Sequence, residues 1–453
     1  MLSKQLAEYT VEKTYDHLTS DTIEFTKQCI LDWLGSALAG ASQPPVQILH
    51  EFIDEMGGKE HSSLVTGGKT SVYQAAFVNG ASSHIVELDD IHRESIVHAG
   101  TVVIPAAVAV AEYLGKTGKD LITAVVVGYE IAYRIGEAVS PSHYEKWHNT
   151  ATCGTFGAAA AAAKLFNLSV NETIHAIGSA GTQAAGLWEF IEDGAMSKQL
   201  HPAKSAMEGV LSALISQKGF TAANKILEGD RGFMYSMSAH PDETKITEGL
   251  GETEKIKENS FKIHASCRHT HQPIDIALSL LDEEGITHDQ IDKIKVRTYQ
   301  AAQKVAGNPN PKSVYGAKFS ISYCTSLAFV YGNAGLTDFN EDRLHEPAIR
   351  NLMDKVEVIV DEEVEKEYPK EWGTKMEVYT NDGMSYERAV KFPKGDPENP
   401  VSLKDIQLKF KKMLEESGIG ALIIDGHIDR VAALEKEELI ADWFVQSTRN
   451  IKV

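Results

Sequence analysis

The sequence predicts a mainly helical protein, in which a large all-helical domain is built from both chain ends and a smaller α+β lid domain is inserted between them. Apolar residues recur at helical spacing from residue 3 to about residue 230. After about residue 255 they alternate, which favours strands, and helical spacing returns after a proline-rich segment. The predicted domain boundaries are 1–255 for the first helical part, 256–399 for the lid and 400–453 for the helical C-terminal return.

Turn residues set the ends of the predicted helices. Ser20 and Asp21 are the expected N-cap of a helix that runs to Ala39, with Gly40 as its stop. The alanine run at 158–163 predicts a tightly packed central helix, because small side chains let helix backbones approach closely. Further helices are predicted at 71–87, 101–114, 119–138, 151–166, 169–185, 204–218, 403–416 and 436–448.

The strands of the lid are predicted from alternating apolar and polar residues. These segments are 291–299, 355–361, 375–379 and 386–392. Asn381, Asp382 and Gly383 separate the last two, which predicts a hairpin turn. The segment 391–402 contains three prolines and is predicted to be a linker.

The composition excludes several classes of function. The 64 acidic and 44 basic residues give a net charge of -20, and no basic stripe is present, so we expect no nucleic-acid partner. The longest apolar stretches fall short of the roughly 20 residues that a membrane span needs. The chain starts without a charged region followed by an apolar one, so we expect a cytoplasmic protein. The four cysteines lie far apart, which is typical of reduced thiols rather than a disulfide framework.

Five short segments concentrate ionisable side chains. None contains a Gly-rich phosphate loop, an H-E-x-x-H or a G-x-S-x-G pattern, so the common sequence routes to nucleotide, zinc-hydrolase and serine-hydrolase functions are unsupported. The segments are 87–98 (ELDDIHRESIVH), 147–157 (WHNTATCGTFG), 197–204 (SKQLHPAK), 262–271 (KIHASCRHTH) and 318–323 (KFSISY).

In this order, the segments resemble the MmgE/PrpD family over essentially the whole chain. The activities of that family include 2-methylcitrate dehydratase, cis-aconitate decarboxylase and iminodisuccinate epimerase. The resemblance rests on Asp89 and Asp90 followed by His92 and His98, on HNTATCGTFGAA from His148, on Lys198 and His201 in K-x-L-H, on CRHTH from Cys267, and on F-S-x-x-Y ending at Tyr323.

The resemblance implies an active site in the cleft between the two domains, a homodimer, and catalysis without a metal or an organic cofactor. Two departures lie beside the expected site. Ile91 stands where many members have threonine, and Ala99 stands where they have proline. These departures bear on the identity of the substrate more than on the type of reaction.

The catalytic roles expected for this site fall to five residues. His98 is the expected general acid or base, and Asp90 would orient it or take the proton itself. Lys198 would neutralise a carboxylate or polarise the leaving group. His148 and Tyr323 would each deliver a proton to the opposite face of the substrate.

Binding of a polycarboxylate requires local positive charge, because a protein with a net charge of -20 repels such a substrate elsewhere. Arg268 is the expected bidentate clamp for one carboxylate. The expected substrate-binding residues are Arg268, Lys262, His269, His92 and His201.

Structural alternatives exist for four of these residues. His98 lies in an apolar segment and is also compatible with a hydrogen-bonded core histidine. Asp90 is also compatible with a helix cap, Lys198 with a surface charge and Tyr323 with plain core. A zinc site is also conceivable for His264, Cys267, His269 and His271, but their spacing disfavours it, and we expect no metal.

Together these observations favour a cofactor-free lyase that acts on a small polycarboxylate. The reaction would be decarboxylation of cis-aconitate or dehydration of a 2-methylcitrate-like acid, since both develop carbanion character that nearby cations stabilise. An epimerase or isomerase of a small dicarboxylate such as iminodisuccinate is the alternative. A non-catalytic, ligand-binding helical protein is the third hypothesis.

Overall fold

The fold is described from a computed structural model, which describes residues 1–444. Long helices make up the N-terminal half, as the sequence predicts, and one short hairpin interrupts them. The helices are α1 (Leu2–Glu12), α2 (Ser20–Gly40), α3 (Pro44–Met56), α4 (Val72–His84), α5 (Gly100–Leu114), α6 (Gly118–Val139), α7 (Asn149–Leu165), α8 (Val170–Gln183), α9 (Phe190–Asp193), α10 (Leu200–Gln217), α11 (Phe233–Met237) and α12 (Thr244–Thr247). The hairpin strands are β1 (Ser62–Ser63) and β2 (Lys69–Thr70).

The helix boundaries follow from local capping chemistry. Helix α6 begins with a capping box, in which the Thr117 hydroxyl accepts from the Asp120 backbone amide and the Asp120 carboxylate accepts from the Thr117 amide. For α2 the predicted N-cap is wrong by one residue. Thr19 has the extended backbone of a cap and its hydroxyl accepts from the amide of Thr22 at 3.2 Å.

Helix α7 lies at the centre of the helical region, packed against α5, α6, α8 and α10. Its alanines at 158–163 are buried, which confirms the prediction of a tightly packed central helix. The approach to α6 is close because both helices carry glycine at the crossing. A Cβ on Gly157 would come within 2.6 Å of the Gly128 carbonyl oxygen. The close packing of α6 and α7 therefore requires this pair of glycines.

A four-stranded sheet with short helices follows, as predicted for the lid. The strand order is β4–β3–β5–β6, with β3 parallel to β4 and antiparallel to β5, and β5 antiparallel to β6. Gly383 has φ 86° in the turn between β5 and β6, so the hairpin prediction is confirmed. The strands are β3 (Ile291–Thr298), β4 (Val356–Val360), β5 (Thr374–Thr380) and β6 (Ser385–Val390). The helices are α13 (His271–Glu284), α14 (Gln300–Ala306), α15 (Val314–Ala317), α16 (Ile321–Tyr331), α17 (Glu341–Leu344), α18 (Pro347–Met353) and α19 (Glu362–Glu367).

The chain then returns to the first helical region through α20 (Leu403–Glu416) and α21 (Ala421–Ala432). Helix α20 packs against α2, where Phe410 lies over Gly35 and both Phe410 and Leu414 join the core of the N-terminal helices. The sequence did not predict α21.

The predicted helix at 436–448 is wrong for residues 437–444, and 445–448 lie outside the described residues. The backbone of this segment pairs with the α5–α6 connection instead. The Ile440 amide donates to the Lys116 carbonyl at 2.7 Å, and the Gly118 amide donates to the Glu437 carbonyl at 2.8 Å. Within residues 1–444, no helix is both long and apolar enough to span a bilayer.

Candidate active site

The loop from α4 to α5 carries two residues in the left-handed backbone region, Glu87 (φ 59°) and Ile96 (φ 55°). Residues other than glycine adopt this conformation at a cost, and such residues cluster at functional sites. Both line a small cavity that lies between the helical region and the lid. Its ionisable lining residues are Glu87, His98, His148, Lys198, Lys262, Cys267, Arg268 and His269.

Three of these side chains are placed by the starts of helices. His148 is the N-cap residue of α7. Lys198 lies in a 3-10 turn that leads into α10, and Arg268 lies in a 3-10 turn that leads into α13. Rigid helices therefore fix side chains that come from distant parts of the chain.

The Asp89 carboxylate contacts two histidines. Its Oδ2 atom is 2.6 Å from His84 Nδ1 and 3.2 Å from His98 Nδ1. Burial alone would raise the pKa of Asp89, but the imidazoles of His84 and His98 hold it well below its ordinary value. Asp89 is thus a buried anion that holds both rings in place.

His98 has a defined tautomer. Its Nδ1 donates to the Asp90 carbonyl oxygen at 2.6 Å. Because a carbonyl oxygen only accepts, Nδ1 carries hydrogen and Nε2 is the nitrogen that remains for the cavity. A protonated His98 therefore offers its Nε2 proton to a bound molecule.

His148 forms a second imidazole pair, with His201 of α10. Their Nδ1 atoms are 3.0 Å apart, so one ring donates and the other accepts. Burial lowers the pKa of His148 well below its ordinary value, and it lowers the pKa of His201 to about 3. Both rings are neutral at pH 7, and burial makes His148 a weaker base than a free imidazole.

Two buried lysines converge on Glu87. Its carboxylate accepts from Lys198 Nζ, from Lys262 Nζ at 3.3 Å and from the Tyr315 hydroxyl at 3.0 Å. Burial would raise the pKa of Glu87, but the two ammonium groups hold it far below its ordinary value. Lys198 also lies over the ring of Phe319, 4.6 Å from its centroid.

The lid contributes Arg268 and His269 to the opposite wall. The Arg268 guanidinium pairs with Asp396, which lies in the segment predicted to be a linker. His269 Nδ1 is 2.6 Å from the Tyr299 hydroxyl, and its ring stacks on Trp372 with centroids 4.7 Å apart. Burial lowers the pKa of His269 to about 3. The linker segment is irregular as expected, but it packs against the site through Asp396.

Six of the ten predicted site residues line the cavity. They are His98, His148, Lys198, Lys262, Arg268 and His269. His201 lies behind His148 as its hydrogen-bond partner. The other three, described next, are held elsewhere.

Asp90 does not orient His98 through its carboxylate. That carboxylate accepts from the Gly100 amide at 3.0 Å, the Tyr129 hydroxyl at 2.6 Å and the Asn259 side chain at 2.8 Å. Burial raises its pKa to about 7. Neighbouring residues on a loop point in opposite directions here, so Asp89 makes the contact that the sequence analysis gave to Asp90.

His92 and Tyr323 are also turned away from the cavity. The His92 ring stacks on Tyr133 at 4.2 Å between centroids, with Nε2 3.3 Å from Glu258. The Tyr323 hydroxyl is buried in the lid core without a hydrogen-bond partner among the described residues. The position of Tyr323 therefore agrees with its structural alternative, core packing, and His92 is a buried histidine paired outside the cavity.

The sequence analysis missed Glu87 and Asp89 as site residues. The sequence signal for Glu87 was the placement of Lys198 and Lys262 in one site. An ammonium group that becomes buried requires an acidic partner. The partner lies 111 residues from Lys198 and 175 residues from Lys262 along the chain.

The zinc hypothesis for the 264–271 segment is not supported by the geometry. His264 pairs with Asp275 at 2.9 Å, and His269 bonds to Tyr299. In the part of the chain that the structure describes, the groups with metal-binding spacing are His84–Asp89–His98 and His92–Glu137–Glu258. Cations already lie beside both groups, since Lys262 Nζ is 3.9 Å from Asp89 and Lys255 Nζ is 3.0 Å from Glu137.

The protein is mainly helical and has two parts, and ionisable side chains from both parts line the cavity between them. The model of the MmgE/PrpD N-terminal domain matches residues 4–245, and the model of the MmgE/PrpD C-terminal domain matches residues 264–420. The chain belongs to the MmgE/PrpD family.

Curated relatives match over most of the chain. A cis-aconitate decarboxylase-like protein of Aspergillus oryzae is 28% identical over 91% of this chain and 90% of its own length. The cis-aconitate decarboxylase of Homo sapiens is 26% identical over 90% of this chain and 87% of its own. A mitochondrial 2-methylcitrate dehydratase of Yarrowia lipolytica is 23% identical over 71% of this chain and 63% of its own length.

Proposed function

We propose that this protein is a lyase that acts on a small polycarboxylate, by decarboxylation of cis-aconitate or by dehydration of a 2-methylcitrate-like acid. One observation carries the proposal: three imidazoles, two ammonium groups and a guanidinium from distant parts of the chain converge on one buried cavity. The names of the relatives favour decarboxylation as the first choice, because the decarboxylases align at higher identity and over more of the chain than the dehydratase of Yarrowia lipolytica.

The cations of the cavity suit the charge that develops in either reaction. Loss of CO2, or of a proton next to a carboxylate, leaves an electron pair that delocalises onto a carboxylate. Lys198 and Lys262 are both buried, and a cation in a dry cavity stabilises such charge far more than one in water. This electrostatic contribution needs no movement of the cations during the chemical step.

For decarboxylation, a carbon–carbon bond of cis-aconitate breaks and CO2 leaves. The electron pair enters the allylic system, the double bond shifts by one carbon, and the far carbon takes a proton. We assign this proton to His98 Nε2, because Nδ1 is held by the Asp90 carbonyl and Asp89 stabilises the imidazolium form.

For dehydration, the same residues serve with divided roles. His148 lines the cavity and is held by His201, so we assign to it removal of the proton next to a carboxylate. Burial lowers the pKa of His148, and the negative charge of a bound polycarboxylate would raise it again. The protonated His98 then donates to the departing hydroxyl, and water leaves. Both reactions therefore depend on His98 as the acid, whereas only dehydration requires a base.

A substrate panel tests the proposal. Purified protein is incubated with cis-aconitate, citrate and 2-methylcitrate, and products are identified by NMR and mass spectrometry, with CO2 release followed in parallel. We expect an unsaturated acid from at least one substrate, accompanied by CO2 if that substrate is cis-aconitate. Absence of both an alkene product and CO2 across the panel would contradict the proposal.

A further inference from the structure

Every cation that lines the cavity already has an internal carboxylate partner. Lys198 and Lys262 pair with Glu87, Lys262 Nζ is also 3.9 Å from Asp89, and Arg268 pairs with Asp396. The positive groups therefore converge as the sequence predicts, but their charge is neutralised. A polycarboxylate can form full ion pairs with these cations only if an internal carboxylate is displaced from them.

The internal carboxylates are not held equally. Asp89 is held by His84 and His98, which also have roles of their own. Glu87 is held by two ammonium groups and a tyrosine hydroxyl, the donors that a substrate carboxylate would use. Its surroundings are thus a complete carboxylate-binding subsite that the protein's own side chain fills.

The backbone at Glu87 also favours displacement of its side chain. Its φ of 59° lies in the left-handed region, which is unfavourable for a residue with a Cβ. The contacts of the carboxylate oppose this cost. Once another anion takes over those contacts, the conformation of Glu87 loses its support.

A receiving cation lies next to this subsite. Lys318 is buried and its Nζ donates to the carbonyl of Val86, the residue before Glu87, at 3.0 Å. In residues 1–444, Lys318 has no carboxylate within ion-pair distance. It lines an open cleft together with Val86 and Tyr315, so water and space are available on that side.

We propose that Glu87 is an internal ligand of the carboxylate subsite formed by Lys198, Lys262 and Tyr315, and that a bound polycarboxylate displaces it toward Lys318. A monocarboxylate only exchanges one carboxylate for another and gains little. A polycarboxylate adds contacts to Arg268 and the histidines, so Glu87 selects for acids with several carboxylates. The subsite rests on the proposed function for the identity of the natural substrate, but not for anion binding itself.

The test measures binding of inorganic sulfate by calorimetry and by thermal stabilisation, which requires no turnover. In Glu87→Gln the competing charge is absent, so we expect sulfate to bind at least about tenfold more tightly than to the wild type. Equal or weaker sulfate binding by a folded Glu87→Gln protein would overturn the proposal.

A second variant decides the question if Glu87→Gln does not fold. Lys318→Met removes the receiving cation but keeps Lys198, Lys262 and Tyr315 of the subsite. Because the displaced Glu87 then has no cation to receive it, sulfate should bind about threefold more weakly than to the wild type. Unchanged affinity in this variant would count against displacement toward Lys318 as firmly as the first result.

The matched control is Asp32→Asn. Asp32 is a buried carboxylate paired with Lys409, but it does not line the cavity. We expect wild-type sulfate affinity, and an increase as large as that of Glu87→Gln would show a general charge effect and overturn the proposal. Tighter sulfate binding without turnover of any polycarboxylate would sink only the proposed function. Turnover with unchanged sulfate binding would sink only the role of Glu87.

Discussion

The two walls of the cavity hold their ionisable groups in different ways. On the helical wall, imidazoles bond to one another and to Asp89, as in the His148–His201 pair at 3.0 Å. On the lid wall, Arg268 and His269 come from one short segment and are held by a loop carboxylate and by aromatic rings. Under the proposed function, His98 and His148 on the helical wall transfer protons, and Arg268 on the lid wall binds one carboxylate.

The largest effect is expected on the helical wall, from His98→Gln. Loss of a positioned acid lowers rates by roughly 10² to 10⁴, so kcat should fall by that factor while KM changes little. Steady-state kinetics on the substrate identified in the panel measures this. His92→Gln is the matched control, since His92 is a buried histidine outside the cavity. An equal loss of kcat in both variants would contradict a specific role for His98 as the acid.

A smaller effect, on KM rather than on kcat, is expected on the lid wall from Arg268→Lys. A lysine cannot bind a carboxylate through two parallel hydrogen bonds, so KM should rise about tenfold with kcat within about threefold. The control is Arg343→Lys, which changes an arginine paired with Asp338 elsewhere in the lid. A fall in kcat as large as that of His98→Gln would assign proton transfer to both walls.

The two walls can also be compared by how folding stability depends on pH. Burial lowers the pKa of His84 to about 4 and of His201 and His269 to about 3, from 6.5. As the pH falls below 6.5, the unfolded chain binds protons that the folded protein does not, so stability falls until about pH 4, by up to about 1.4 kcal/mol per pKa unit for each group. Asp90 acts in the opposite sense, because its pKa is raised to about 7.

Thermal unfolding between pH 7 and pH 4 measures this dependence. His201→Gln and His269→Gln should each reduce the slope by a similar amount, since the walls bury their histidines to a similar degree. An unchanged slope in either variant would show that the histidine on that wall is already protonated or open to water.

The smallest effect is expected from Tyr323→Phe. The hydroxyl is buried without a partner among the described residues, so its removal should leave kcat unchanged and stabilise the fold by about 1 kcal/mol. Chemical denaturation and steady-state kinetics measure both. A loss of activity would restore the proton-donor role that the sequence analysis gave to Tyr323.

Much of the fold could be predicted because its signals are local. Alternation locates the four lid strands to within two residues, and helix ends follow caps and glycines. Helix α21 was missed because Gly418, Gly420 and Gly426 interrupt its pattern, whereas packing against α20 stabilises it. Tertiary contacts override local signals in such segments.

Lys262 and Arg268, chosen from sequence for their charge, both line the cavity, and their roles in binding stay predictions. The sequence does not show which way each side chain of the α4–α5 loop points. Asp90 was therefore predicted to contact His98, whereas the Asp89 carboxylate makes that contact. The partner of the lysines depends on contacts more than 100 residues apart. The homodimer, the cytoplasmic location and the absence of a cofactor stay predictions.

The return of α20 onto α2 has a consequence for biosynthesis. The first 255 residues emerge from the ribosome before Phe410 and Leu414, which complete their core, have been made. At about 5 to 20 residues per second, the intervening 150 or so residues take roughly ten to thirty seconds. Throughout that interval the nascent chain exposes an apolar groove along α2, which makes it a natural client for chaperones that shield such surfaces.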